Sequence, residues 1–245
     1  MGARTQPEQQ APPVQRLRIR YAKRGRARFT SHRDFGRAFE RALRRAGVPM
    51  AYSSGFSPHP RISYANASPT GAASEAEYLE IGLAERCEPA AVQRALDAAL
   101  PPGLDVVEVV SAPPGALADA LTGSRWSVDV VGVEEAVLTE GVARLLASDQ
   151  ALVERLTKNG VRTFDARAAL VSLAVTTPAT TDGPAPTDRL VLTMTLAHTV
   201  PSVRPDDVLA ALAAFAPTTA PLVPPVLTRL AQGVLDPSTG LLREP

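Results

Sequence analysis

Residues 31–63 read SHRDFGRAFERALRRAGVPMAYSSGFSPHPRIS, a helix with an arginine edge that runs without a break into a polar loop. Ser31 followed three residues later by Asp34 makes a capping-box-like start, with a short acid in place of the usual Glu or Gln. Gly47 tolerates a left-handed cap and Pro49 cannot continue the hydrogen-bond ladder, so the helix is predicted to stop there. Between these signals Phe35, Phe39, Ala42, Leu43 and Ala46 recur at helical spacing and mark the face to be buried. Arg33, Arg37, Arg41 and Arg45 step by four along the opposite edge, with Arg44 beside them. Such a stripe of guanidinium groups can follow a phosphate backbone. Ordinary solvated helix faces also carry charge runs, and that simpler reading stands beside it.

The segment after the helix, AYSSGFSPHPRISYANASPTGAASEAEY, is too long and polar for a simple hairpin turn. Loops of that kind carry function or stay disordered. A recognition loop is expected at Tyr52, Gly55, Phe56, Ser57, Pro58, His59 and Pro60, with Arg61 as a further phosphate ligand. Two prolines fix the backbone on either side of His59, which would hold its imidazole in a defined direction near water. That suits a general acid or a phosphate donor, and equally a histidine that only hydrogen-bonds a neighbouring strand.

The run FTSHRDFGRAFERALRRAGVPMAYSSGFSPHPRISYA, together with SPTGAASEAEYLEIGL, resembles the radical-SAM-linked protein family. This is a domain of unknown function found standalone or fused C-terminal to a radical SAM domain. The resemblance is specific over residues 17–83 and looser onward to about residue 240. Relatives often carry an aromatic or His where this chain has Ser57, so the loop here holds one titratable group fewer. What the resemblance implies is an association, with a separately encoded radical SAM protein as partner, and no particular reaction.

A hydrophobic share of 45% and a formal net charge of +1 fit a soluble globular protein. No apolar run approaches the ~20 residues that cross a bilayer, and MGARTQPEQQAPPVQ lacks the apolar centre of a secretory signal, so a cytoplasmic location is expected. A single cysteine, Cys87, excludes an internal disulfide and a cysteine-ligated iron–sulfur cluster within the chain. No cofactor is expected, and no P-loop, dinucleotide fingerprint or serine-nucleophile elbow is present. Glu75, Glu77 and Glu80 would suit a divalent ion only with further ligands, so no metal is assigned.

The near-neutral total hides an asymmetry. Basic residues crowd residues 16–61, where the only acids are Asp34 and Glu40. A field of one sign confined to one region points to a polyanionic partner. An Ala-, Arg- and Pro-rich composition explains arginine over lysine, but not the clustering.

Leu17, Ile19 and Tyr21 alternate with Arg16, Arg18 and Arg20, the period of a strand with one buried and one basic face. Further strands are predicted at residues 50–52, 78–83 and 104–110, with a helix at 88–100 opened by Pro89. The order β-α-β-β-α-β is ferredoxin-like. In the second half, strands are predicted at 126–133, 162–175, 189–198 and 228–235, and helices at 134–147 and 205–215. Residues 154–159 are an alternative helical extension, and the Thr- and Pro-rich residues 176–188 a hairpin insertion. The expected architecture is therefore α+β, two tandem ferredoxin-like (βαββαβ) units with antiparallel sheets. Its parts are a disordered tail at 1–15, a first unit at 16–111, a linker at 112–124, a second unit at 125–236 and a tail at 237–245.

Lys158, Arg162, Arg167 and Arg189 offer the second half's cations, and His198 reads as a satisfied core histidine. The function expected is a noncatalytic RNA-binding or substrate-presenting accessory to a radical SAM enzyme. Tyr21, Phe29, Tyr52, Phe56 and Tyr64 interleave with the arginines as stacking partners for bases. Two rivals remain open. One is a metal-independent ribonuclease using His59, with His32 as the second histidine and Arg33 or Arg61 stabilising the phosphate. The other is a docking module whose arginine stripe meets an acidic face of the radical SAM partner.

Overall fold

The computed structural model describes residues 9–157, 160–176, 189–216 and 224–245. Lys158 and nearly all of the expected insertion at 176–188 lie outside these residues. The fold is α+β, and the chain divides into two compact units, Met1–Asp119 and Ala120–Pro245. Among the described residues no helix is long and apolar enough to cross a membrane.

The first unit is built around strand β1 (Gln15–Lys23), followed by helix α1 (His32–Arg45), β2 (Ile62–Ala65), β3 (Ala73–Leu83), α2 (Pro89–Ala99) and β4 (Leu104–Ser111). β1 is central, paired antiparallel with β3 on one side and β4 on the other, and β2 pairs antiparallel with β3. Leu17, Ile19 and Tyr21 pack with Leu79, Ile81 and Leu83 beneath both helices. From α1 come Phe35, Phe39, Ala42 and Leu43, and from α2 Val92, Leu96 and Ala99. Tyr21 lies flat on Phe35 with ring centroids 4.3 Å apart. That burial, rather than helix propensity, holds α1 in place.

The ends of α1 follow its sequence closely. Ser31 Oγ accepts the Asp34 N–H at 3.2 Å and donates its hydroxyl proton to Asp34 Oδ2 at 2.7 Å. The carboxylate therefore engages the capping hydroxyl, where a longer Glu would reach back to the Ser31 amide. At the other end Gly47 takes φ +65°, the Val48 N–H reaches the Leu43 carbonyl at 3.1 Å and the Gly47 N–H the Arg44 carbonyl at 3.2 Å. This paired closure satisfies two orphan carbonyls and needs the left-handed residue that glycine supplies.

The strand expected at 50–52 does not form. Met50 and Tyr52 make only isolated bridges, to Leu83 and Pro60, and the strand is β2. Pairing with Pro60 folds the segment back on itself before it can run along the sheet edge.

The second unit contains β5 (Gly123–Val131), α3 (Glu135–Ala147), β6 (Leu152–Thr157), β7 (Gly160–Asp165), β8 (Leu170–Thr176), β9 (Arg189–Ala197), α4 (Pro205–Phe215), β10 (Val226–Leu235) and a short β11 (Leu242–Arg243). Its sheet runs β10-β5-β9-β8 with antiparallel neighbours, β11 adding to β10. The strand expected at 162–175 is two strands. Asp165 Oδ1 accepts the Ala151 N–H at 2.8 Å and the Arg167 N–H at 2.9 Å, which breaks the ladder at a short 3-10 turn, Arg167–Ala169. The helical alternative at 154–159 also fails over its described residues, 154–157, because β6 and β7 form a hairpin from Leu152↔Asp165 to Thr157↔Gly160.

Candidate functional site: a rooted hairpin, an arginine stripe and a cleft

The polar loop after α1 is a stub hairpin anchored on β3. Ala51 N–H donates to the Gly82 carbonyl (2.9 Å), Gly82 N–H to the Arg61 carbonyl (2.9 Å), and Arg61 N–H to the Ala51 carbonyl (2.8 Å). Farther out, the Ser53 N–H donates to the His59 carbonyl at 2.9 Å and the His59 N–H to Ser53 Oγ at 3.0 Å. Residues 54–58 form the tip, with Gly55 at φ +126° and Phe56 69% exposed. Ser53 thus grips the His59 backbone from both sides while the imidazole stays exposed. Arg61 is also held, its Nε donating to the Tyr52 carbonyl at 3.1 Å. Ser57 and Pro58 are exposed at the tip.

Beside this hairpin lies an open cleft of about 430 Å³. His59, Pro60, Arg61 and Ser63 form one wall, Pro13 and Arg16 the other, and Glu80 and Gly82 contribute from β3. A Cβ at Gly82 would stand 3.0 Å from the Pro13 Cβ and 3.3 Å from the Arg61 Cβ, so the missing side chain lets the walls approach. The N-terminal segment is tied down here, with Gln10 N–H on Ser54 Oγ (3.0 Å) and Val14 N–H on the Leu83 carbonyl (2.9 Å).

Arg33, Arg37, Arg41, Arg44 and Arg45 are all exposed on α1. Arg37 lies 3.9 Å from the Asp34 carboxylate and Arg45 donates to the Ala99 carbonyl at 3.3 Å. Arg33, Arg41 and Arg44 have no ion-pair partner among the described residues. Arg44 shares a shallow recess with Tyr52 and Pro60, and Pro60 also lines the His59 cleft. The stripe and the recognition loop therefore adjoin, a relation that spacing alone left open.

The basic face of β1 has a different fate. Arg18 is 3% exposed and its Nε and Nη2 both donate to Glu80 Oε1, at 3.1 and 2.9 Å, while Arg16 pairs with Glu80 Oε2. Arg24 bridges Glu75 and Asp105, and Arg20 Nε donates to the Glu75 carbonyl. Much of the positive field expected from this strand is neutralised within the unit. The three glutamates do not converge. Glu77 is buried and accepts the Ser68 N–H, Glu75 faces Arg24, and Glu80 faces Arg16 and Arg18. Among the described residues no group of three His, Cys, Asp or Glu side chains could hold a metal ion.

The expected aromatic set divides as well. Phe29, Tyr52 and Phe56 are exposed, with the Arg28 guanidinium 4.7 Å over the Phe29 ring, whereas Tyr21 belongs to the core. Tyr64 packs against α1, 4.9 Å edge-on to His32 and 6.1 Å from Phe35. Its Oη is buried without a hydrogen-bond partner, and burial, aided by the charge of Glu40, pushes the phenol up to about 12. Removing that hydroxyl relieves an unsatisfied group, so Tyr64→Phe is expected to hold or raise stability, by up to ~1 kcal/mol in urea unfolding. His32 therefore serves as a packing partner for Tyr64 and does not line the cleft that holds His59.

In the second unit Arg167 donates to the Leu146 and Leu170 carbonyls and Arg189 pairs with Asp129 at 2.7 Å, both structural roles. Arg162 is exposed on the β7 arm. His198 follows β9 and completes a polar chain that sequence reading did not identify. Trp126 Nε1–H donates to Ser124 Oγ at 2.8 Å, Ser124 Oγ lies 3.0 Å from His198 Nε2, and His198 Nδ1 lies 2.6 Å from the Leu121 carbonyl. The carbonyl can only accept, so Nδ1 carries the proton and Nε2 takes the Ser124 hydroxyl. Burial holds the imidazole below its ordinary pKa, and the Arg229 charge acts in the same direction against the Leu121 hydrogen bond. The unfolded chain then binds this proton more readily. Stability is full above the ordinary histidine pKa of ~6.5 and is lost as pH falls through it. Thermal melts from pH 8 to pH 5 are expected to show that decline, and His198→Gln to flatten it.

No curated protein matches the chain. A crystal structure of an unknown protein from Galdieria sulphuraria is similar at 15% identity and a TM-score of 0.24, covering 90% of this chain and 99% of that one. A TM-score that low carries no argument about fold. A family model does match, over residues 16–205, and it takes in β1 from Arg16 on, the arginine helix, the rooted hairpin and every cleft residue but Pro13. The chain belongs to the family described as "Uncharacterized protein conserved in bacteria (DUF2344)", the radical-SAM-linked family that residues 17–83 resemble.

Proposed function

We propose that the protein is a noncatalytic RNA-binding or substrate-presenting accessory to a separately encoded radical SAM enzyme. Each unit is read as one ferredoxin-like βαββαβ fold, the second enlarged by the β6–β7 hairpin. The observation that carries the RNA reading is the contrast between the two arginine sets. Arg16, Arg18 and Arg24 are held by carboxylates, whereas the α1 stripe stays exposed, with Arg44 beside Tyr52 and Pro60. Steps of four residues space its guanidinium groups ~6 Å apart along the helix. A flexible single strand can follow such a row, with exposed Phe29, Tyr52 and Phe56 offering rings to its bases.

Titrating the protein with labelled single-stranded RNA across a salt series tests this. Affinity should fall steeply as salt rises. Affinity independent of salt, or none at low salt, would sink the reading. The docking alternative predicts instead that a radical SAM protein is captured from the native cell and lost on reversing the stripe. The ribonuclease alternative draws on the exposed His59 beside Arg61 and Arg16, but His32 packs on Tyr64. It requires His59→Ala to abolish cleavage of RNA.

A further inference from the structure

The 430 Å³ cleft is far larger than one inorganic phosphate needs and lies in the size range of small-molecule sites. Its charge is uneven. Glu80 is its only lining carboxylate, and that group is already matched by Arg16 at the rim and Arg18 beneath. Arg61 thus adds an uncompensated positive charge. Its Nε is fixed on the Tyr52 carbonyl, and its terminal nitrogens have no partner among the described residues. Arg16 uses one terminal nitrogen on Glu80, and its side chain remains 45% exposed. Two oriented guanidinium groups across a cleft suit a doubly charged oxyanion, which accepts from both. Ser53 and Ser63 add hydroxyls, while Pro13, Pro60 and Ile62 give apolar wall against which a flat ring can lie.

We propose that this cleft binds a nucleoside monophosphate unit, its phosphate held between Arg16 and Arg61 and its base against the Pro60 and Ile62 side. The proposal deepens the RNA reading, since the phosphorylated end of a strand carried on α1 would be seated here. A free mononucleotide has the same chemistry, and the experiment separates the two sources. The full-length protein is titrated calorimetrically with adenosine 5′-monophosphate, and separately with a short single-stranded RNA with and without a terminal phosphate. Wild type, Arg61→Ala, Arg61→Lys and the second-unit control Arg144→Ala are compared.

Losing one charge-assisted contact should weaken mononucleotide binding about tenfold in Arg61→Ala. Arg61→Lys should restore part of it, and Arg144→Ala none should be lost. A terminal phosphate that strengthens RNA binding in wild type but not in Arg61→Ala identifies the strand end as the ligand. If the mononucleotide binds through Arg61 and the terminal phosphate adds nothing, the cleft is a nucleotide site and the strand-end source is rejected. Mononucleotide binding that is undetectable, or indifferent to Arg61→Ala, overturns the proposal. Failure of the RNA reading itself would show differently, as RNA affinity that ignores salt and the α1 stripe.

Discussion

Glu80→Gln is expected to remove about 3–5 kcal/mol of stability from the first unit, the usual consequence of leaving a buried charge without its counter-charge. Glu80 is 2% exposed and its two oxygens accept from both Arg18 and Arg16. An amide of the same shape offers one acceptor and presents an N–H₂ group to a guanidinium. Arg18 cannot lose its proton and cannot reach water, so it stays charged and uncompensated. Domains are stable by only ~5–15 kcal/mol, which makes this loss a large fraction of the whole. Urea unfolding measures it, and hydrogen exchange at the β1 and β3 amides places it in the first unit. Arg18→Met combined with Glu80→Leu should recover most of the loss, because exchanging a buried ion pair for apolar side chains is often neutral. Arg16→Ala, at a half-exposed position, should cost under ~1 kcal/mol. A Glu80→Gln protein within ~1 kcal/mol of wild type would show that the pair contributes little beyond its own desolvation.

Arg37→Glu with Arg41→Glu is expected to produce the largest change in RNA affinity. Each neutralised phosphate on a single strand contributes about −0.7 to the slope of log affinity against log salt, so two lost contacts flatten it by about 1.4. The same relation gives losses of about 60-fold at 50 mM salt and about tenfold at 200 mM, before any repulsion from the new carboxylates. Both residues are exposed, and Arg37 gives up only a long contact to Asp34. Thermal melts should therefore move little, which keeps the binding loss interpretable. An unchanged slope would assign the stripe to a protein surface.

The parts of this fold that sequence revealed were those whose causes are local. Ser31, the apolar period and Gly47 all act within one helix, and α1 forms between them as read. Alternation identified β1, but it could not say that Arg18 would meet Glu80 across the sheet and leave solvent. Composition hid β2. Ile62–Ala65 reads ISYA inside a Gly-, Pro- and Ser-rich run, and only its pairing with β3 makes it a strand. The β6–β7 hairpin did have a local signal, the Asn159-Gly160 dipeptide between LVERLT and VRTF, a pair that marks turns in sequence. The hairpin loop residues were identified as a group, and His59 and Arg61 do share one cleft. Its other wall comes from Pro13 and Arg16, which no spacing rule ties to a loop more than 40 residues on.

The central place of β1 has a consequence for synthesis. Leu17 pairs with Ile81 on one side and Ser111 on the other, so this strand, once off the ribosome, must wait for two neighbours that both follow it in the chain. At ~5–20 residues per second the wait for β3 lasts several seconds, and for β4 longer. Through that interval an apolar strand is present without a sheet, the condition in which nascent chains stick to one another. Arg16, Arg18, Arg20 and Lys23 are threaded through it at alternate or nearby positions. Mutual repulsion between copies would keep these strands apart until Glu80 arrives to take Arg16 and Arg18 into internal pairs.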